Sequence, residues 1–310
     1  MEDMTEYFSS EPVPDMSFTP DAEYGICKGE KGIYHLEISS RHNLNSCISH
    51  FESGTANNVV PESAYAVING GKNEKEQLEK TALSQHGEFA TESVTDGIRV
   101  TSIGNAAHAC EPEKGFNAAA ALAVLLRRTF GDETVGSFTA FIADCIGSET
   151  NGKSAGVMMS DTESGELTLT LSRVKITEEE AKAVIDIRYP VTSCGETVLS
   201  GVRESAKKYG LDVRVIDEEK PLFLDENSDI VKILSKAYRS ATGSEPELYT
   251  TGGGTYARTL GGKGVAFGPV FPDDDSRMHN TDESLNEEYF FKHFGICLEA
   301  MNEMMKFRDR

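Results

Sequence analysis

Two periods of hydrophobic and polar positions run through this chain. Alternation predicts strands at "KGIYHLEIS", "AYAVI", "GIRVTSIG", "ELTLTLSRVKIT", "AKAVIDIRYPV" and "LDVRVIDEE". The fourth and fifth, separated only by a charged "EEE", read as an antiparallel pair. Helical spacing predicts a charged surface helix at "EKEQLEKTALSQ", and helices at "CGETVLSGVRESAKKYG" and "NSDIVKILSKAYRSATG". The strongest helix signal of the first half is "GFNAAAALAVLLRRTFG", with arginines in its last turn and Gly131 after it. From Pro221 onward the texture changes. A capped helix is followed by "PELYTTGGG", a strand entering a glycine loop, and by "GVAFGPVFP", a single buried strand. Ser284 and Glu287 predict a capping box for a last helix whose apolar face is Phe290, Phe294, Cys297, Met301 and Met304. The first thirty residues carry three prolines and no complete hydrophobic period.

This order predicts mixed α/β and α+β architecture in two units, one inserted into the other. Residues 1–32 and 222–310 make the interrupted unit, and residues 33–221 make the insert. Composition changes that picture little but removes several classes of function. With 51 acidic against 30 basic residues the formal charge is -21, a field that repels phosphate backbones and excludes nucleic acid as an expected partner. The longest apolar run, Ala118 to Leu126, is too short to span a bilayer, and the acidic "MEDMTEYFSS" is no signal peptide, so no membrane partner is expected. The six cysteines, at 27, 47, 110, 145, 194 and 297, form no CxxC pair and read as reduced, mostly buried thiols of a cytoplasmic protein.

Taken singly, the polar candidates for chemistry each have an ordinary structural role. Asp21 follows Pro20 and suits a turn. Asn58 in "ANNVVP" suits a cap or turn, and His108 suits a loop before a helix. Arg188 shares a strand face with Asp186, which predicts a surface pair of little worth. Gly252, Gly253 and Gly254 suit a turn that needs positive φ, and His279 is a lone imidazole among carboxylates.

Taken in order, the blocks "FTPDAEY", "GEKG", "TANNVVP", "GNAAHACEPEKGFNAA", "IDIRYPV", "TTGGGTYAR", "FGPVFP" and "MHNTDE" say more. The series resembles the M20 metallopeptidase family, in its Xaa-His dipeptidase branch (carnosinase-like, peptidase V type). That resemblance implies a two-zinc aminopeptidase-like catalytic domain interrupted by a lid domain, with manganese or cobalt as acceptable substitutes for zinc. It implies hydrolysis of small peptides through a metal-activated water. Asp21 and His279 match ligands of the two different metals, and His108 matches a lid histidine that stabilises the oxyanion. Asn58 and Arg188 match lid groups that hold substrate, Arg188 on its C-terminal carboxylate. Gly252, Gly253 and Gly254 match a backbone platform near that carboxylate. The chemistry of each match is sound: cations take carboxylate and imidazole, and a guanidinium fork fits a carboxylate.

The family's remaining ligands, an H-x-D motif, a bridging aspartate and a Glu-Glu pair, precede the "FTPDA" block. No H-x-D occurs anywhere in this sequence, and its Glu-Glu pairs fall elsewhere. The resemblance therefore predicts the C-terminal portion of such an enzyme, inactive by itself, whose complete parent is a monomer. A non-catalytic binding or scaffold remnant of the fold and a related amino-acid deacylase are the alternatives.

Overall fold

The computed structural model describes residues 2–40, 46–274, 277 and 282–308. His279 lies outside the described residues. The chain divides into two compact units, Met1–Lys31 with Pro221–Arg310, and Gly32–Lys220.

The continuous unit is built on an eight-stranded sheet. Its strands are β1 (Gly32–Ser40), β2 (Ile48–Ser53), β3 (Ser63–Ile68), β4 (Glu88–Val94), β5 (Gly97–Ile103), β6 (Thr168–Ile176), β7 (Ala181–Tyr189) and β8 (Asp212–Glu219). They lie in the order β8-β1-β7-β6-β2-β3-β5-β4, with every neighbouring pair antiparallel. The β6–β7 pair is the one that the alternation predicts, with Thr168 opposite Arg188 and a bulge between Leu171 and Arg173. Helix Ala118–Phe130 covers the sheet because its small and branched residues, from Ala118 to Leu126, give a close-fitting apolar face. Asn117 caps it, accepting from the Ala120 N–H at 3.0 Å, and Gly131 ends it at φ 77, a conformation that glycine adopts without strain.

β7 does not have the solvent face expected of it. Asp186 and Arg188 are buried along with Ile185, Ile187 and Tyr189, so the expected surface pair is an interior one. The reason is cover on both faces: Ile185, Ile187 and Tyr189 lie in the apolar core, while on the other face His35 meets Asp186 and the segment that carries Ala109 and Cys110 is tied to Thr168, opposite Arg188.

The discontinuous unit has a five-stranded sheet around Ile26–Glu30. That strand pairs with Leu222–Phe223, Leu248–Thr251 and Gly264–Ala266, and the last of these pairs with Ser17–Thr19. Helices Asp229–Thr242 and Glu287–Arg308 pack together, and Leu234, Ala237, Phe267, Ile296 and Ala300 share one core. Several details depart from the sequence reading. The first residues are not featureless, since Glu2–Ser10 is helical. "GVAFGPVFP" is two short strands, Gly264–Ala266 and Pro269–Val270. Gly268 between them sits at φ 74 with the Tyr24 ring where a Cβ would point, and Pro269 has no N–H to extend a ladder. Ser228 precedes its helix without a side-chain cap, and left-handed Gly243 ends that helix.

The last helix differs most. Asn286, not Ser284, caps it, accepting from the Glu288 and Tyr289 N–H groups at 2.9 and 3.3 Å. Its inward stripe is Tyr289, His293, Ile296, Ala300 and Glu303, while Phe290, Phe294 and Met301 are exposed. Small Ala300 and compact Ile296 allow close approach to helix Asp229–Thr242, which also pairs Lys236 with Glu303. Of the cysteines only Cys27 and Cys145 are buried, and Cys194 is exposed, so the thiols are less enclosed than expected.

Candidate active site

In the continuous unit the backbone brings Asn58, His108 and Arg188 into one neighbourhood. Ala107–His108 forms a short antiparallel pair with Val59–Val60, placing His108 opposite Val59, next to Asn58. The Ala109 N–H donates to the Asn58 carbonyl at 2.9 Å, and the Ala109 carbonyl accepts from the Thr168 hydroxyl at 3.2 Å. Thr168 in turn faces Arg188 across the β6–β7 ladder. Asn58 and His108 are exposed, whereas Arg188 is 4% exposed.

Arg188 is held by its own strand. Its Nε and Nη2 donate to the two oxygens of Asp186, each at 2.6 Å, and His35 Nε2 lies 3.0 Å from the same carboxylate. His35 Nδ1 is 3.6 Å from Asp217, so a line of alternating groups runs from the unit's surface to the guanidinium. Burial pushes the Asp186 carboxyl up, but hydrogen bonds from His35 and Arg188 outweigh it and hold the group below the ordinary carboxylate range. Beside this neighbourhood, Cys110 places its Sγ 2.9 Å from His108 Nδ1 and its N–H 3.2 Å from the same nitrogen. A cleft of about 560 Å³ elsewhere in the unit is lined by Gln85, His86, Phe116, Arg128, Glu149 and Leu171 and includes none of these residues.

In the discontinuous unit Asp21 and the glycine loop meet. The Tyr256 N–H donates to Asp21 Oδ2 at 2.9 Å, tying the exposed carboxylate to the residue two beyond Gly254. The loop is fixed from beneath by a buried carboxylate. Glu30 accepts from the Thr255 N–H at 3.1 Å and from its hydroxyl, and Arg258 Nε lies 2.7 Å away. Arg258 Nη2 also donates to the Lys31 carbonyl and, at 3.3 Å, to that of Gly253. Gly253 does not have positive φ, and an added Cβ would meet only the Thr251 hydroxyl at 3.4 Å. Conformation alone does not require glycine there, contrary to the turn reading.

Sequence reasoning named Asp21, Asn58, His108, Arg188 and the glycines but passed over Cys110, Asp186, His35, Glu30 and Arg258 as working parts. Some signal existed: Cys110 lies two residues after His108, and Glu30 lies in the quoted "GEKG". Their roles follow from partners far away in sequence. As to metals, the described residues include no group of three or more His, Cys, Asp or Glu placed to hold an ion. Asp21 alone does not make a metal centre, so the described residues do not fit a metal pair.

These features define a mixed α/β protein of two units, each gathering polar groups about ordered backbone. The sequence profile of peptidase family M20/M25/M40 matches residues 15–303, and the chain belongs to that family. YtjP of Bacillus subtilis, which carries the provisional name of a dipeptidase, is 34% identical over 312 residues, covering 97% of this chain and 66% of the relative. SH1171 of Staphylococcus haemolyticus, provisionally named likewise, is 31% identical over 306 residues, covering 95% of this chain and 65% of its own. This chain thus spans just under two thirds of the length of these relatives. Among solved structures, the aminoacylhistidine dipeptidase of Vibrio alginolyticus is similar with a TM-score of 0.48 and 18% identity, over 94% of this chain and 66% of that one.

Proposed function

We propose that this chain is the substrate-holding lid and part of the catalytic domain of a metal-dependent dipeptidase that cleaves small peptides in the cytoplasm. The observation that carries the reading is the convergence of Asn58, His108 and Arg188 through Ala109 and Thr168. The residues 32–220 act as the lid, and the flanking segments supply Asp21, His279 and the Gly252–Gly254 platform. Arg188, oriented by Asp186, clamps the substrate's C-terminal carboxylate, because a guanidinium fork matches a carboxylate in shape and charge. Asn58 holds the substrate backbone. His108 donates a hydrogen bond to the oxyanion that develops at the scissile carbonyl, where a positioned donor is worth most. The complete enzyme works as a monomer.

Metal dependence belongs to this reading, with Asp21 and His279 as this chain's share of the ligands. One protein ligand per ion is below the three that catalytic sites use. The chain by itself therefore holds no stable metal pair and does not turn over dipeptides. A purified chain that retained about two zinc ions through dialysis, measured by atomic emission, and hydrolysed dipeptides steadily would refute this.

The substrate role is tested with Arg188 in the assembled dipeptidase. Arg188→Ala should lower kcat/KM for free dipeptides at least about tenfold, the equivalent of about 1.4 kcal/mol. Arg188→Lys should restore only part, since an ammonium lacks the fork. A dipeptide amidated at its C-terminus should be a poor substrate that loses much less on mutation. Equal losses for acid and amide would make Arg188, buried as it is, a structural residue and overturn the clamp.

A further inference from the structure

The His108 ring nitrogens are distinguished by what faces them. The Cys110 amide N–H points at Nδ1 from 3.2 Å, and an amide nitrogen can only donate. In the neutral ring Nδ1 must then be the nitrogen that carries the lone pair. The Cys110 Sγ stands 2.9 Å from the same Nδ1. Burial pushes that thiol up from its ordinary value, so at neutral pH it keeps its proton and is a second donor to Nδ1.

We propose that Cys110 is a positioning residue that fixes His108 as the tautomer with its proton on Nε2. Both donors come from one residue, so ring orientation and tautomer are set together. The turn that presents them is itself held. Ala109, between the two residues, donates to the Asn58 carbonyl and accepts from the Thr168 hydroxyl. His108 therefore meets its surroundings on the Nε2 side as a hydrogen-bond donor. The opposite tautomer would present an acceptor there and place N–H against N–H on the Cys110 side.

The catalytic consequence rests on the reading of His108 as an oxyanion donor, but the tautomer assignment does not. Its test needs no activity. Long-range proton–nitrogen correlation spectra of this chain, labelled with nitrogen-15 in histidine, report which ring nitrogen is protonated. His108 is assigned by its loss in His108→Gln. The wild type should show a pyridine-type Nδ1 and a pyrrole-type Nε2. Cys110→Ser, which keeps a donor at the same place, should retain that pattern. Cys110→Ala keeps the amide but loses the thiol, and a single hydrogen bond shifts an equilibrium roughly 2- to 10-fold. The Nδ1–H fraction should rise by that factor in the alanine variant and not in the serine one. A protonated Nδ1 in the wild type overturns the assignment, as does an unchanged tautomer ratio in Cys110→Ala. A shifted tautomer in Cys110→Ala together with an unchanged kcat in the assembled dipeptidase would support the assignment and overturn the oxyanion role instead.

Discussion

At the residue scale, the strongest constraint is the buried carboxylate of Asp186, held between Arg188 and His35. Removing one partner of a buried pair leaves the other charge uncompensated, which costs about 3–5 kcal/mol. Asp186→Asn should destabilise the chain by that order at pH 7, measured by urea unfolding. The pH dependence has a definite sign. Because the folded carboxyl is held below its ordinary value, its stabilisation is fully present above the unfolded value of about 3.9 and is lost as pH falls through the folded one. The gap between wild type and Asp186→Asn should therefore narrow as pH drops below about 4. A gap that stayed constant into acid would mean the ionised carboxylate is not what matters. Glu30 plays the corresponding part beneath the glycine loop, where it gathers the Thr255 hydroxyl and Arg258.

At the scale of elements, the last helix separates two ways of starting. A capping box at Ser284 and a cap at Asn286 predict different sensitivities. Asn286 accepts from the N–H groups of Glu288 and Tyr289. Asn286→Ala should cost about 1 kcal/mol, within the usual range for a lost N-cap. Ser284→Ala, on an exposed residue before the helix, should stay within about 0.5 kcal/mol of wild type. Thermal unfolding of both variants decides between them; a larger loss at Ser284 would restore the capping box. The central strand β7 teaches a related lesson. Its "IDIRYP" alternates like a surface strand, yet both of its faces are covered, and the polar residues answer by pairing with each other and with His35.

At the scale of the whole molecule, the outward face of Glu287–Arg308 dominates. Phe290, Phe294, Leu298, Met301 and Met305 are each more than a third exposed and recur along one side of the helix. Contiguous apolar surface of this kind drives association in water. The chain should self-associate with rising concentration in sedimentation velocity. Phe294→Glu combined with Met301→Glu should shift it towards monomer while leaving helical circular dichroism unchanged. A monomer at all concentrations, or association indifferent to both substitutions, would show that this face does not drive it. The net charge of -21 opposes association, so the effect should strengthen as salt screens that repulsion.

What the sequence determined by itself is whatever depends on neighbours a few residues away. Alternation placed the β6–β7 pair, and three-to-four spacing placed helix Ala118–Phe130 with its Gly131 stop. The ordered motif blocks were enough to point to the family. Tertiary structure decided what depends on distant partners. It made Arg188 an interior residue by laying the segment with Ala109 and Cys110 beside Thr168 and Arg188, and it turned the last helix so that Ile296 and Ala300, not Phe294 and Met301, face inward. It also joined Asp21 to Tyr256 and Glu30 to Thr255, pairs more than two hundred residues apart. The physical reason is that amphipathic period reports only that a face is apolar. Which of two apolar faces is buried depends on close approach to another element, and which polar group is satisfied depends on a partner that no local pattern specifies.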